Sequence, residues 1–215
     1  MSFDKNWEVS VYKKKLQNNK YPFDSIVSST FQFMGKNLKN KNILELGCGT
    51  GNNLIFFQNL KCKNIEGVDG SKTAISIAKK NLSSKNTKLV IADFTKVKLK
   101  QNYFDLVIDR GSITHNSKKN ITIILDKVQK SLRKNSFFFS SVFSSHHYGN
   151  KKKKKSFHQE INSKQGLISS FFTKKEIMQY YKKFEIVSLQ LEEKIDFMKK
   201  KRKISWWNLI LKKND

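Results

Sequence analysis

Glu45-Leu46-Gly47-Cys48-Gly49-Thr50-Gly51-Asn52 joins an apolar run, Asn42 to Leu46, to a helical pattern carried by Leu54, Ile55, Phe57 and Leu60. Small residues at such a junction permit a tight strand-to-helix turn and let a ligand approach the backbone closely. The spacing is G-x-G-x-G. A dinucleotide fingerprint, G-x-G-x-x-G, would need glycine where Asn52 stands. A phosphate-binding P-loop would need Gly-Lys-Ser/Thr, which does not follow. Two acids complete the pattern. Asp69 lies 22 residues after Gly47 at the end of a second apolar run, Asn64 to Asp69. There a carboxylate can accept both hydroxyls of a ribose. Asp93 ends a third run, Lys88 to Ala92. A glycine turn with unrelated surface acids accounts for any one of these features, but poorly for all three at consecutive strand ends.

Outward from this loop, apolar runs alternate with helical stripes. Ile75, Ala78 and Leu82 share one helix face, followed by a fourth strand, Tyr103 to Ile108. Ile121, Ile124, Leu125, Val128 and Leu132 make the next stripe, and Phe137 to Phe143 a fifth strand. Thr173-Lys174-Lys175-Glu176 matches a capping box opening a helix. Two late strands, Glu185 to Leu191 and Trp206 to Leu211, follow. Such alternation predicts an α/β fold with a largely parallel sheet covered on both faces. Residues 144–170 break the pattern, with Lys151 to Lys155 and little periodicity. A stretch of that length reads as a lid or substrate insert over the carboxyl edge of the sheet.

With 215 residues, 38% of them apolar, the chain reads as one domain with a sizeable core. No stretch approaches the roughly 20 apolar residues of a membrane span, and the first residues lack a signal-peptide core. Cys48 and Cys62 form neither a disulfide framework nor a metal set. The expectation is a cytoplasmic protein. The net charge of +26 invites a nucleic-acid reading. However, all but three of the 43 basic residues are lysine, whereas phosphate and base recognition favours the planar guanidinium. Abundant Lys, Asn, Ile and Phe with a single proline match an AT-rich coding sequence. Whatever its origin, the charge attracts anionic substrates, phosphorylated ones included.

These motifs resemble those of the class I S-adenosylmethionine-dependent methyltransferases over roughly residues 38–212. Glu45 to Gly51 is similar to the family's first motif, Gly67-Val-Asp69-Gly-Ser71 to its second and Ala92-Asp93-Phe94 to its third. The resemblance implies a Rossmann-like, seven-stranded, mostly parallel sheet with an antiparallel last strand and helices on both faces. It implies S-adenosylmethionine as cofactor. Gly47, Gly49 and Gly51 would lie under its methionine moiety, and Glu45 would orient the amino group. Asp69 would hold the ribose, the Asp93 side chain would accept from the adenine amino group, and the Phe94 N–H would donate to the ring. Asn52, Gly70 and Ser71 belong to the same set. Asp109 and Arg110 would line the pocket near the sulfonium. Residues 1–40, through Tyr21-Pro22-Phe23-Asp24 and the apolar residues after it, fit a helical segment that covers the cofactor.

The acceptor is approached by elimination. Amino methylation of nucleic-acid bases typically uses an Asp/Asn-Pro-Pro-aromatic tetrapeptide after the fourth strand, and Asp109-Arg110-Gly111-Ser112 stands there instead. Cytosine-C5 methylation needs a Pro-Cys nucleophile, which is absent. Asp109 to His115 is similar to a Ser-Ser-Ile-Gly-His segment of deoxysugar methyltransferases, with Thr114 in place of glycine. His115 is thus the candidate general base for a hydroxyl or amine of a small, sugar-like metabolite. Its alternative is a loop or cap histidine. Tyr12, with Trp7, is expected to close over the methionine end, and Tyr21, His146 and His147 are further candidates for substrate contact. His146, His147, His158 and Glu160 match no common metal spacing, so no metal is expected. Two rivals remain: an RNA or protein methyltransferase docking through its basic surface, and a non-catalytic cofactor-binding scaffold.

Overall fold

The computed structural model describes residues 3–82, 85–150, 159–162, 167–199 and 202–214. Seven strands form one sheet in the order β3-β2-β1-β4-β5-β9-β8. They are β1 (Asn42–Leu46), β2 (Asn64–Asp69), β3 (Thr87–Ile91), β4 (Phe104–Arg110), β5 (Leu132–Phe143), β8 (Phe184–Asp196) and β9 (Arg202–Lys213). Strand β9 runs antiparallel to both β5 and β8, and the other neighbours pair in parallel. All five residues of β1 are buried, as a central parallel strand requires. Alternation sends Leu44 and Leu46 into a cluster with Ile121, Ile124 and Val128 of α4 (Lys118–Ser131) and Ile177 of α5 (Lys174–Tyr180). Ile43 faces a second cluster with Ile26 of α1 (Asp24–Met34), Leu54 and Phe57 of α2 (Asn52–Asn59), and Ile75 of α3 (Lys72–Asn81). Helices thus cover both faces.

The sheet reverses its winding at β1, which lies between β2 and β4. Ligand crevices open at the carboxyl ends of strands beside such a reversal. Parallel register sets Leu46 opposite both Val68 and Asp109, and Asp69 opposite Ile91. One edge therefore carries the Gly47 loop, Asp69 and the turn after Asp109.

Three boundaries differ from the sequence expectation. Strand β5 begins five residues earlier than Phe137, through polar Arg133 to Ser136. Strands β8 and β9 run on as a polar hairpin, with Glu193 opposite Ser205 and ion-paired to Lys203 at 2.9 Å. Charged alternation reads as loop, yet each strand is the other's partner. In the 144–170 interval, β6 (Gln159–Asn162) and β7 (Leu167–Ser170) pair as a separate two-stranded sheet. Lys151 to Lys155 and His158 lie outside the described residues. The expected capping box is present: Thr173 Oγ1 accepts from the Glu176 N–H, and the Glu176 carboxylate accepts from the Thr173 N–H.

Candidate active site

The glycine loop turns sharply because Gly47 and Cys48 both donate to the Val68 carbonyl, at 2.7 and 3.1 Å. Gly47 has φ +67°, and a Cβ there would fall 2.2 Å from that of Ser112. Only glycine fits. Gly51 caps α2 in the left-handed region. The Tyr12 hydroxyl lies directly against Gly49.

Asp69 accepts from the Gly49 N–H at 2.9 Å and the Ser71 N–H at 2.8 Å. Burial raises its pKa to about 6 against these two bonds. Glu45 is enclosed in the fold. Its Oε1 accepts from Asn53 at 2.6 Å, while its Oε2 has no partner among the described residues. Burial pushes the group up to about 8, with Asp109 and Asp69 adding to the rise against the Asn53 bond. A buried carboxylate oxygen left open is costly unless a donor arrives, and an ammonium group meets that need.

Phe3, Asp4, Trp7, Tyr12, Asp69, Gly70, Asp93 and Phe94 line a cleft together with Arg110 to Ser112, His115 and Asn116. A neighbouring hollow is walled by Glu45, Gly47 to Thr50, Asn52 and Asn53, with Tyr12 and Arg110 shared. Asp93 accepts from the Phe3 N–H at 3.2 Å and from Thr95. The Phe3 ring packs on Gly70. Glu8 of the π-helical turn Trp7–Tyr12 accepts from Ser71 and Thr73.

His115 sits in a 3-10 turn, Ile113–His115, beneath β7. Its Nδ1 is 2.9 Å from the Ile168 carbonyl and 3.2 Å from Ser169 Oγ. A carbonyl only accepts, so Nδ1 carries the proton and Nε2 keeps its lone pair. Trp7 and Phe143 pack edge-on against the ring at 4.8 and 5.5 Å. Burial lowers the His115 pKa to about 4, leaving a neutral imidazole at pH 7.

Not every expected residue reaches the cleft. Asp109 lines neither cavity. It accepts from the Ser112 N–H and hydroxyl, the Ile113 N–H and the Ser140 hydroxyl, at 2.6–3.1 Å. It anchors the turn that carries Ser112 and His115 instead of meeting ligand. Asp109→Ala strands two amides and is expected to cost about 3 kcal/mol, lowering Tm by roughly 6–12 °C in calorimetry. Tyr21 is exposed, and only its carbonyl is used, by Asn52. Ser71 caps α3. His146 pairs with Glu193 at 3.1 Å, and His147 packs against Phe143 and Phe171. Neither lines the cleft. Trp7 does line the cleft, with its ring 6.2 Å from that of Tyr12 and 4.8 Å from that of His115. Sequence reasoning missed Phe3, Asp4, Asn53, Ser112 and Asn116. Only Asn53, in the first turn after the glycine loop, carried a local signal.

The seven-stranded sheet with antiparallel β9, the glycine turn at its reversal and the cleft beside it form a Rossmann-like methyltransferase architecture. The sequence model of the methyltransferase-domain family matches residues 37–195, and the chain belongs to that family of S-adenosylmethionine-dependent enzymes. An uncharacterised Rickettsia prowazekii protein, RP028, is 32% identical over 118 residues, covering 53% of this chain. The match spans 47% of RP028, about half its length. Among solved structures, a Methanosarcina mazei S-adenosylmethionine-dependent methyltransferase superposes with TM-score 0.69 at 17% identity, covering 90% of this chain and 99% of that one. The 1,6-didemethyltoxoflavin-N1-methyltransferase of Burkholderia thailandensis gives 0.72 at 18%, covering 96% and 85%. At these identities the likeness is one of fold.

The open Glu45 oxygen fits the cofactor's ammonium, so Glu45 should ionise on binding. S-adenosylhomocysteine binding at pH 7 is expected to release protons, measured by calorimetry in buffers of different ionisation enthalpy. The release should be largest below about pH 8 and shrink in Glu45→Gln; buffer-independent heats would contradict it. In the free protein the raised Glu45 pKa has the opposite face: its contribution to stability is lost as pH rises from the unfolded value toward about 8.

Proposed function

We propose that the chain transfers a methyl group from S-adenosylmethionine to a hydroxyl or amine of a small, sugar-like acceptor, with His115 as general base. The cofactor supplies an activated methyl on a good leaving group. Asp69 is assigned to the ribose, Asp93 and Phe94 to the adenine, and Glu45 to the amino group. The N-terminal residues Phe3, Trp7 and Tyr12 screen the cleft from water. The carrying observation is His115: a neutral imidazole lining the cleft, with its Nδ1 proton committed to Ile168 and its Nε2 lone pair left to accept the acceptor's proton. In that role Nε2 would take the proton of the acceptor's O–H or N–H, while the cofactor would supply its methyl by breaking the bond to the sulfonium sulfur and leaving as S-adenosylhomocysteine.

The Burkholderia thailandensis relative, by its name, methylates a ring nitrogen of a small heterocycle, which supports a small acceptor. Among the described residues no lysine lines the cleft, so the docking reading draws no support from them. The test is incubation with S-adenosylmethionine and a panel of nucleotide sugars and free sugars, read by mass spectrometry. A mass gain of one methylene on a sugar supports the reading. Methylation confined to RNA or protein added as controls contradicts it.

A further inference from the structure

We propose that Arg110 fixes acceptor specificity by binding an oxyanion, a carboxylate or phosphate, carried by the methyl acceptor; this rests on reading the cleft as a methyl-transfer site. Arg110 ends β4 and lines both cavities. Its Nε is enclosed without a partner, and no described residue hydrogen-bonds or ion-pairs with its guanidinium. Phe23 and Trp206 hold the group in place, with ring centres 4.6 and 4.8 Å from Cζ. A guanidinium has five donors in a rigid fork, and leaving them unmet in a half-buried place is costly.

The acids nearest in influence are engaged elsewhere. Asp109 is used by Ser112, Ile113 and Ser140. Glu192 pairs with Lys194 at 2.9 Å and accepts from Asn208. Asp24 is exposed. Burial works against the Arg110 charge, and these carboxylates offset it only from a distance. The fork is therefore positioned by aromatic rings while its acceptors are absent from the fold.

The rest of the cleft fixes where an anion can go. Asp4, Asp69 and Asp93 line the same cleft and repel anions, whereas Arg110 lines it with the polar Ser112, His115 and Asn116. The net charge of +26 draws anions to the surface from a distance.

Arg110, Arg133 and Arg202 are the three arginines of the chain, so the ¹H–¹⁵N Nε spectrum should hold three resonances. Loss of one in Arg110→Lys assigns it. Protein saturated with S-adenosylhomocysteine is titrated with acetate and, separately, inorganic phosphate. Any shift of the Arg110 signal on S-adenosylhomocysteine binding is expected to be matched by 5′-methylthioadenosine, and the signal is then expected to move saturably with either anion, while Arg133 and Arg202 shift little. If S-adenosylhomocysteine itself moves the signal and 5′-methylthioadenosine, which lacks the carboxylate, does not, Arg110 holds the cofactor's own carboxylate and the proposal falls. It falls equally if neither anion moves Arg110 beyond the other two. Failure of S-adenosylhomocysteine to bind at all would count against the methyl-transfer reading instead. The same anion titrations of the free protein would still read the Arg110 site.

Discussion

Asp69→Ala lowers the affinity for S-adenosylhomocysteine by roughly 100- to 1,000-fold, the equivalent of two lost hydrogen bonds to a charged acceptor. The effect is large because the carboxylate does two jobs. It holds the Gly49 and Ser71 amides, fixing the glycine loop against the start of α3, and it is the group assigned to the ribose hydroxyls. Asp69 faces the cleft, so water can satisfy the freed amides and the fold survives. Asp69→Asn separates the two jobs: it keeps an acceptor oxygen for one amide but removes the charge. Isothermal calorimetry on both variants, with circular dichroism to verify folding, is the check. Unchanged affinity in Asp69→Ala would remove the ribose assignment.

His115→Gln is expected to reduce kcat by roughly 10²- to 10⁴-fold, the usual worth of a positioned base, while leaving S-adenosylhomocysteine affinity unaltered. The pH profile is the sharper diagnostic. A histidine with its pKa lowered to about 4 by burial is a competent base throughout the neutral range. The wild-type rate should therefore fall only as pH drops through about 4, not near the ordinary histidine value of about 6.5. Wild-type turnover in the variant would end the base assignment. His147 is also lowered to about 4 by burial. Both histidines bind protons more readily unfolded than folded. Their contribution to stability is complete above about pH 6.5 and is lost as pH falls toward 4.

Strand-to-helix alternation, the glycine turn and the two strand-end acids were legible because each rests on local chemistry: periodicity, backbone freedom, or a carboxylate at a fixed place in a parallel sheet. What escaped is non-local. The Phe3 amide meets Asp93 across 90 positions, and Asp4 accepts from the Ile168 N–H across 164. Such contacts leave no periodic trace. Asp109 misled for a related reason. Its strand-end position reads as a pocket acid, but the tight turn folds Ser112 and Ile113 back onto its carboxylate. The charged hairpin of β8 and β9 was shortened because its polarity obscures strand pairing. Tyr21 reads in sequence as a candidate for substrate contact, yet its side chain is exposed and its carbonyl holds Asn52.

The central claim, that this cleft binds an S-adenosyl cofactor through Glu45 and Asp69, is tested most directly by calorimetric titration of the wild-type protein with S-adenosylhomocysteine, using a nicotinamide dinucleotide as control. One site, filled at concentrations on the order of micromolar (near −8 kcal/mol), with no heat from the dinucleotide, is the expected result. No binding of S-adenosylhomocysteine, or equal binding of both, would contradict it.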